Sequence, residues 1–334
     1  MKRALLVGIN DYSWAQLAGC ANDAIELGTA LSRNHDGSAN FVCKVMIADQ
    51  KNKHQAAQKR FTDRFENKKR ITQSTLKKSV SDLFKGECDI ALFFFAGHGY
   101  EDNLGGKLVT SDAVKWDEGF SVSDILLLAN QATHIREVFL ILDCCYSGHI
   151  GNVPAINVNQ ALLRPGISIL TASQAGEVSK EKDGQGMFTS ILVEGLKGGA
   201  ADVTGKVTAA SLYNYADNAF GAFEQRPVYK SHVSWLRPLR TAEPRVPHKE
   251  IRMIPEFFKA KNSKYKLNKS FEPTAKPHNE ENEKQFGILQ RYRAAGLVEP
   301  TKEEHLYWEA MKNGSCKLTM LGKLYWQMVK NNRI

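Results

Sequence analysis

The sequence predicts an α/β fold, a mostly parallel sheet of six strands flanked by helices, with a small separate domain at the C-terminus. Three observations predict it. Short apolar runs recur through residues 1–240 and alternate with stretches of helical apolar spacing. That rhythm stops over residues 241–285, where five of the ten prolines fall, and resumes over 286–334. The charge balance shifts as well: residues 1–240 carry 27 Lys+Arg against 25 Asp+Glu, whereas residues 241–334 carry 18 against 11.

Taken in order, Ala4–Ile9 is a short apolar run of the kind found in buried parallel strands. Cys20–Leu31 repeats apolar residues at helical spacing, and Phe41–Ala48 is a second strand. Lys51–Arg70 is basic and polar and reads as a surface insertion. Leu76–Phe84 is a helix, with Thr72 or Ser74 as its cap. Ile90–Ala96 is a Phe-rich strand buried on both faces. A helix at Asp124–Ala129 precedes strands at Val138–Leu142 and Ile167–Thr171. Helices at Met187–Leu196 and Ala209–Phe220 lead to a sixth strand at Val228–Val233. Residues 241–285 read as a linker with a helix at Ile254–Ala260.

Composition narrows the function. With 43% hydrophobic and 24% charged residues the chain is neither disordered nor fibrous. The longest apolar run, Ile90–Ala96, falls short of the ~20 residues a membrane helix needs. Met1-Lys2-Arg3 followed by Ala4–Ile9 is too short for a signal peptide. The expectation is a cytoplasmic protein with no membrane partner. The six cysteines form no CxxC pair, so zinc ribbons and thioredoxin chemistry are not expected. Cys144-Cys145 is either buried filler or a reactive site.

In open α/β sheets, chemistry sits beyond the carboxyl ends of the strands. The third strand ends in Ala96-Gly97-His98-Gly99 and the fourth in Asp143-Cys144-Cys145-Tyr146-Ser147-Gly148. Neighbouring parallel strands would bring a histidine and a thiol to one sheet edge. A free thiol is only a few per cent thiolate at neutral pH, and a nearby imidazole can take its proton. His134, His149 and His232 have no partner motif and read as surface or core histidines. Gly205-Lys206 lacks the flanking residues of a phosphate loop.

Gly-His-Gly after an apolar strand, then Asp-x-Cys-x-Ser-Gly with Cys145 47 residues on from His98, resembles the caspase/metacaspase clan of cysteine peptidases. Ala4–Asn10 with Leu17–Asp23 is similar to the metacaspase opening, and Ile169–Ser173 and Gln225–Val228 resemble its later strands. The resemblance covers residues 2–236 and implies a caspase-like sheet. It implies a base at His98 and a nucleophile at Cys145, the second of the pair, with Cys144 pointing into the sheet. The backbone N–H groups of Gly99 and Cys145 match the family's oxyanion hole. Cys144 and Tyr146 stand where metacaspases have Ser and His.

Asp23 and Asp143 match the two acids that line the metacaspase pocket for the residue before the cut. Two carboxylates favour Arg, then Lys, so the implied substrate is a protein with a basic residue at that position. The plainer reading is that Asp23 solvates its helix and Asp143 orients the loop. Some metacaspases need calcium, and Asp102, Asp112, Asp117 and Glu118 could supply oxygen ligands. They are spread through a polar loop, and no obligatory cofactor is expected. Activation by self-cleavage is common in the family. Arg164, Lys180 and Lys182 are the basic positions after the nucleophile where it would occur, in or near a Gly- and charge-rich loop at 176–186.

Residues 286–334 look like a small winged helix. A helix at Phe286–Ala295 stops at Gly296, a second spans Glu303–Met311, Cys316–Leu318 is a strand or wing, and Leu321–Val329 is a last amphipathic helix. Arg291, Arg293, Lys317 and Lys323 could meet phosphates, so nucleic acid is one partner class. An activator or sensor protein is the other, and no base-reading set favours the first. Bacterial caspase-like proteins with appended domains resemble parts of stress or antiviral systems. The rival functions are a silent caspase-like scaffold and a nucleic-acid-binding regulator.

Overall fold

Among the described residues seven strands form the central sheet, one more than the sequence predicts. The computed structural model describes residues 1–102, 105–114, 117–144, 163–172, 181–182, 185–220, 226–233, 235–277 and 279–334. Among these, β1 (Lys2–Ile9), α1 (Cys20–Ser32), β2 (Phe41–Ala48), α2 (Gln55–Phe61) and β3 (Phe65–Asn67) come first. α3 (Gln73–Leu83) and β4 (Cys88–Ala96) follow, then β5 (Gly99–Asp102), β6 (Gly105–Val114) and β7 (Asp117–Ser121). α4 (Val122–Gln131), β8 (Ile135–Asp143), β9 (Ile167–Thr171), β10 (Glu181–Lys182), β11 (Gln185–Gly186) and α5 (Met187–Glu194) are next. β12 (Lys206–Val207), α6 (Ala209–Ala219), β13 (Val228–His232) and β14 (Arg240–Thr241) end this part.

The strand order is β13-β9-β8-β4-β1-β2-β3. All neighbours run parallel except β13, which is antiparallel to β9. The unpredicted strand is β3, inside the basic stretch read as an insertion. Three residues paired with Val45–Ile47 suffice to extend the sheet, too few to show a period. β5, β6 and β7 form a separate antiparallel sheet directly after β4.

Both faces of the main sheet are covered, as near-continuous apolar strands require. In β4, Ile90, Leu92, Phe94 and Ala96 pack on the side of α1, α5 and α6. Ala91, Phe93 and Phe95 pack on the side of α3 and α4. Truncating one of these phenylalanines to Ala costs about 3–5 kcal/mol by the usual core rule. Thr72 caps α3 by accepting from the Thr75 N–H at 3.2 Å, so the sequence reading of that cap holds.

The chain divides into two compact units, residues 1–201 with 207–242, and residues 202–206 with 243–334. The stretch 241–285 is not a featureless linker. It contains α7 (His248–Ile251), α8 (Ile254–Phe257) and β15 (Lys264–Lys266). Ile251, Ile254, Phe257, Phe258, Leu267 and Phe271 from it are buried in the second unit's core. Two of its prolines sit where helices start: Pro247 precedes α7 and Pro255 lies in the first turn of α8. α9 (Glu280–Ala294), β16 (Val298–Pro300), α10 (Leu306–Met311), β17 (Ser315–Leu318) and α11 (Met320–Lys330) complete the unit. Its sheet is antiparallel, in the order β15-β17-β16.

Candidate active site

The sheet order reverses direction at β1, which has β2 on one side and β4 on the other. In open α/β sheets sites lie beyond the carboxyl ends of the strands at such a switch point, and the candidate residues lie there. β4 and β8 stay in register to their ends, with Ala96 opposite Asp143. The Gly97 N–H then donates to the Asp143 carbonyl at 3.3 Å. A side chain at 97 would come within 2.5 Å of the Tyr12 hydroxyl, so only glycine fits.

His98 is held by the loop that leaves β1. Its backbone N–H donates to Tyr12 Oη at 3.1 Å, and that hydroxyl donates to the Val109 carbonyl at 3.1 Å. Burial pushes the Tyr12 phenol well above its ordinary pKa, so it stays a neutral donor. The ring Nε2 lies 2.8 Å from the Ala15 carbonyl oxygen. A carbonyl only accepts, so Nε2 carries the proton and Nδ1 of the neutral ring keeps its lone pair. Trp14 stacks on the imidazole, centroids 4.9 Å apart and planes 25° from parallel, while itself 61% exposed. Tyr12 packs against the ring at 4.6 Å. The result is an imidazole fixed in tautomer and orientation.

The two acids also meet. In β8, Val138, Leu140, Leu142 and then Cys144 face α3 and α4, whereas Phe139 and Ile141 face α1 and α5. Asp143 continues the odd series and reaches α5, where Thr189 Oγ1 donates to its Oδ2 at 2.6 Å. Asp23, in the first turn of α1, accepts from the Gly186 N–H at 3.0 and 3.1 Å. A Cβ at Gly186 would lie 2.8 Å from an oxygen of each acid, so both carboxylates converge on one bare Cα. Both are nearly inaccessible, at 3% and 6% exposure. The parity also puts Cys144 in the core.

Cys145 and Lys180 lie outside the described residues, as does the side chain of Lys182. Gly99 heads β5 and pairs with Leu108. Arg164 is an anchor: its guanidinium donates to the carbonyls of Ala129, Ala132, Ile135 and Pro165 at 2.8–3.1 Å. Asp112 accepts from Thr110 Oγ1 at 2.7 Å and the Gln73 N–H at 3.0 Å. The side chains of Asp102, Asp117 and Glu118 lie outside the description. Among the described residues no three His, Cys, Asp or Glu group to hold a metal ion. His134 and His232 bond to backbone carbonyls of Phe84 and Leu163. No helix among the described residues is long and apolar enough to cross a membrane.

Sequence reasoning missed Tyr12, Trp14, Ala15 and a buried knot beside them. Asp49, at 1% exposure, accepts from Asn10 Nδ2 at 3.2 Å and Asn52 Nδ2 at 2.9 Å, and pairs with His54 Nε2 at 2.8 Å. Burial alone would raise its pKa, but these hydrogen bonds outweigh that and hold the carboxyl below the usual range. Asn10 also donates to the Ala18 carbonyl and accepts from the Ala21 N–H, so the knot secures the loop that presents Ala15.

A family model for the caspase domain matches residues 1–234. A comparison with curated proteins found no match. Among solved structures, caspase-1 from Spodoptera frugiperda is similar at 11% identity and a TM-score of 0.48, over 72% of this chain and 90% of that one. A protein from Geobacter sulfurreducens is similar at 16% identity and a TM-score of 0.47, over 72% of this chain and 99% of that one.

Proposed function

Because the chain belongs to the caspase-domain family, whose members are cysteine peptidases, we propose that it is an endopeptidase cutting proteins after Arg, and less readily after Lys. The observation that carries this is the register at the sheet edge. Ala96 and Asp143 are the paired last residues of adjacent parallel strands, and in the sequence His98 and Cys145 each follow that pair by two residues. Such strands lie about 4.8 Å apart.

In this reading His98 Nδ1 takes the proton of the Cys145 thiol, and the thiolate attacks the carbonyl carbon of the scissile peptide. The Gly99 and Cys145 N–H groups hold the oxyanion. The imidazolium then gives its proton to the leaving amine, and the C–N bond breaks to leave a thioester. Water, deprotonated by the same ring, hydrolyses the thioester and restores the thiol. Asp23 and Asp143 supply negative charge for the cationic side chain before the cut. No step draws on calcium. Lys180 and Lys182 remain the self-cleavage positions, because Arg164 is committed to four carbonyls.

The same reading makes the protein a cytoplasmic effector of a bacterial stress or antiviral response, with a winged-helix-like second unit that docks an activator or sensor. Arg291 forms a bidentate pair with Glu250 at 2.7 and 2.9 Å, and Lys317 pairs with Glu299 at 3.2 Å. Arg293 lies 3.0 Å from His305 Nδ1. These engagements favour protein over phosphate as the partner.

The test is hydrolysis of fluorogenic peptides with Arg, Lys or Asp before the reporter. Arg should be cut best, Asp not at all, and chelation of calcium should leave the rate unchanged. Cys145→Ala and His98→Ala should each lose at least about a thousandfold. Undiminished hydrolysis by Cys145→Ala, or a preference for Asp, would refute the proposal.

A further inference from the structure

We infer that a cleft in the C-terminal unit is a receptor for an organic cation on an aliphatic stem, the end group of an arginine or lysine side chain. The cleft has a volume of about 310 Å³ and opens between α8, β15 and the first half of α9. That is the low end of ligand-site sizes, room for one long side chain and too little for a nucleotide with its phosphates. Its walls are Met253, Phe257, Tyr265 and Ile288. Phe257 and Tyr265 meet edge to face, centroids 5.3 Å apart and planes 62° from parallel, so the wall offers two differently directed aromatic surfaces.

Charge selects the occupant. Glu256 and Glu281 stand exposed at the mouth, and among the described residues neither has an ion-pair partner. Lys284 is the one cation among the described lining residues, against two carboxylates. This is unusual in its surroundings, since residues 241–334 carry 18 Lys+Arg against 11 Asp+Glu. Gln285 accepts from Tyr265 Oη at 2.5 Å and donates to Glu281 Oε1 at 3.5 Å, which fixes the polar end of the cleft. A methylene stem would lie along Met253 and Ile288. Its cationic head would meet the aromatic faces and the two carboxylates, the combination that holds alkylated ammonium groups elsewhere. An anionic ligand is disfavoured by the same charges, and a purely apolar one would leave the carboxylates without use.

The cation could belong to a basic segment of a partner protein or to a free amine. Both sources are tested on the full chain bearing Cys145→Ala, so that peptides stay intact. Methyl signals of Met253 and Ile288 report on this cleft alone. They should shift on titration with n-butylguanidinium, and not with neutral n-butylurea. If a capped Arg-containing hexapeptide shifts the same signals at least tenfold lower concentration, the natural source is a protein segment. If spermidine does so instead, it is a free amine. Glu256→Gln with Glu281→Gln, both at exposed positions, should weaken either ligand by about tenfold. Tyr265→Leu should weaken it further through loss of the ring. Methyl signals that stay still with every cation, equal response to n-butylurea, or undiminished affinity in the Glu256→Gln/Glu281→Gln chain would each overturn the inference. None of these outcomes touches the proposed peptidase activity, which is read separately.

Discussion

Both units bury carboxylates, and they settle them differently. In the N-terminal unit Asp23 and Asp143 come from separate elements and converge on the Cα of Gly186. In the C-terminal unit each buried acid has its own structural task. Glu250 clasps the guanidinium of Arg291, and Glu309 accepts backbone N–H groups of Lys302, Glu303 and Ser315. Two like charges brought together repel and cost stability, and under the proposed function the cationic side chain of the substrate offsets that cost. Acids settled one by one stabilise the fold and ask for nothing more.

The sharpest way to break this contrast is to neutralise the convergent pair. Asp23→Asn with Asp143→Asn should lower kcat/KM for an Arg substrate by about 100- to 1,000-fold, the effect of removing partners from a desolvated charge. A citrulline substrate, isosteric and uncharged, should lose little. Equal losses on both substrates would show that the acids only hold the scaffold. In the other unit, Glu309→Ala strands three part-buried N–H groups and should cost about 3 kcal/mol of unfolding free energy. Urea titration followed by tryptophan fluorescence measures it, since Trp308 and Trp326 lie in that unit. A change below about 0.5 kcal/mol would mean that water replaces the carboxylate without penalty.

The same contrast explains what could be read from the sequence. The inner strands β1, β4, β8 and β9 are apolar runs buried on both faces, and Gly97-His98-Gly99 follows β4 while Asp143 ends β8, so that edge of the sheet was legible in the sequence. Asp23 was legible through the opening of its helix. The Ala15 carbonyl was not, because a backbone oxygen has no sequence signature and its aim depends on how the loop folds over His98. β3 was hidden by its length and by the lysines around it. The core of the C-terminal unit was hidden because its elements over 241–285 are short, and the prolines at the starts of α7 and α8 mimic the composition of a linker.

The loop that holds His98, which no sequence pattern predicts, can be tested through Trp14. An aromatic stack on a titratable ring is worth about 1 kcal/mol. Trp14→Ala should therefore lower kcat by about fivefold with KM nearly unchanged, and Trp14→Phe should recover most of it. A change confined to KM would make Trp14 a wall for substrate and not a support for His98.

The smallest expected effect concerns Asp49, the buried acid of the N-terminal unit that resembles those of the C-terminal one. Its folded pKa is depressed by hydrogen bonds from Asn52, His54 and Asn10 that outweigh burial. Such a group stabilises the fold above the ordinary aspartate value near 3.9, and the contribution disappears as the pH falls through the lower folded value. Wild type should therefore unfold at higher urea than Asp49→Asn at pH 7, with the gap closing below about pH 4. A gap that stays constant to pH 2.5 would show that the lost bonds are geometric and not ionic. Because Asn10 links Asp49 to the Ala18 carbonyl and the Ala21 N–H, the acid limb of stability and the loosening of the loop under His98 should coincide.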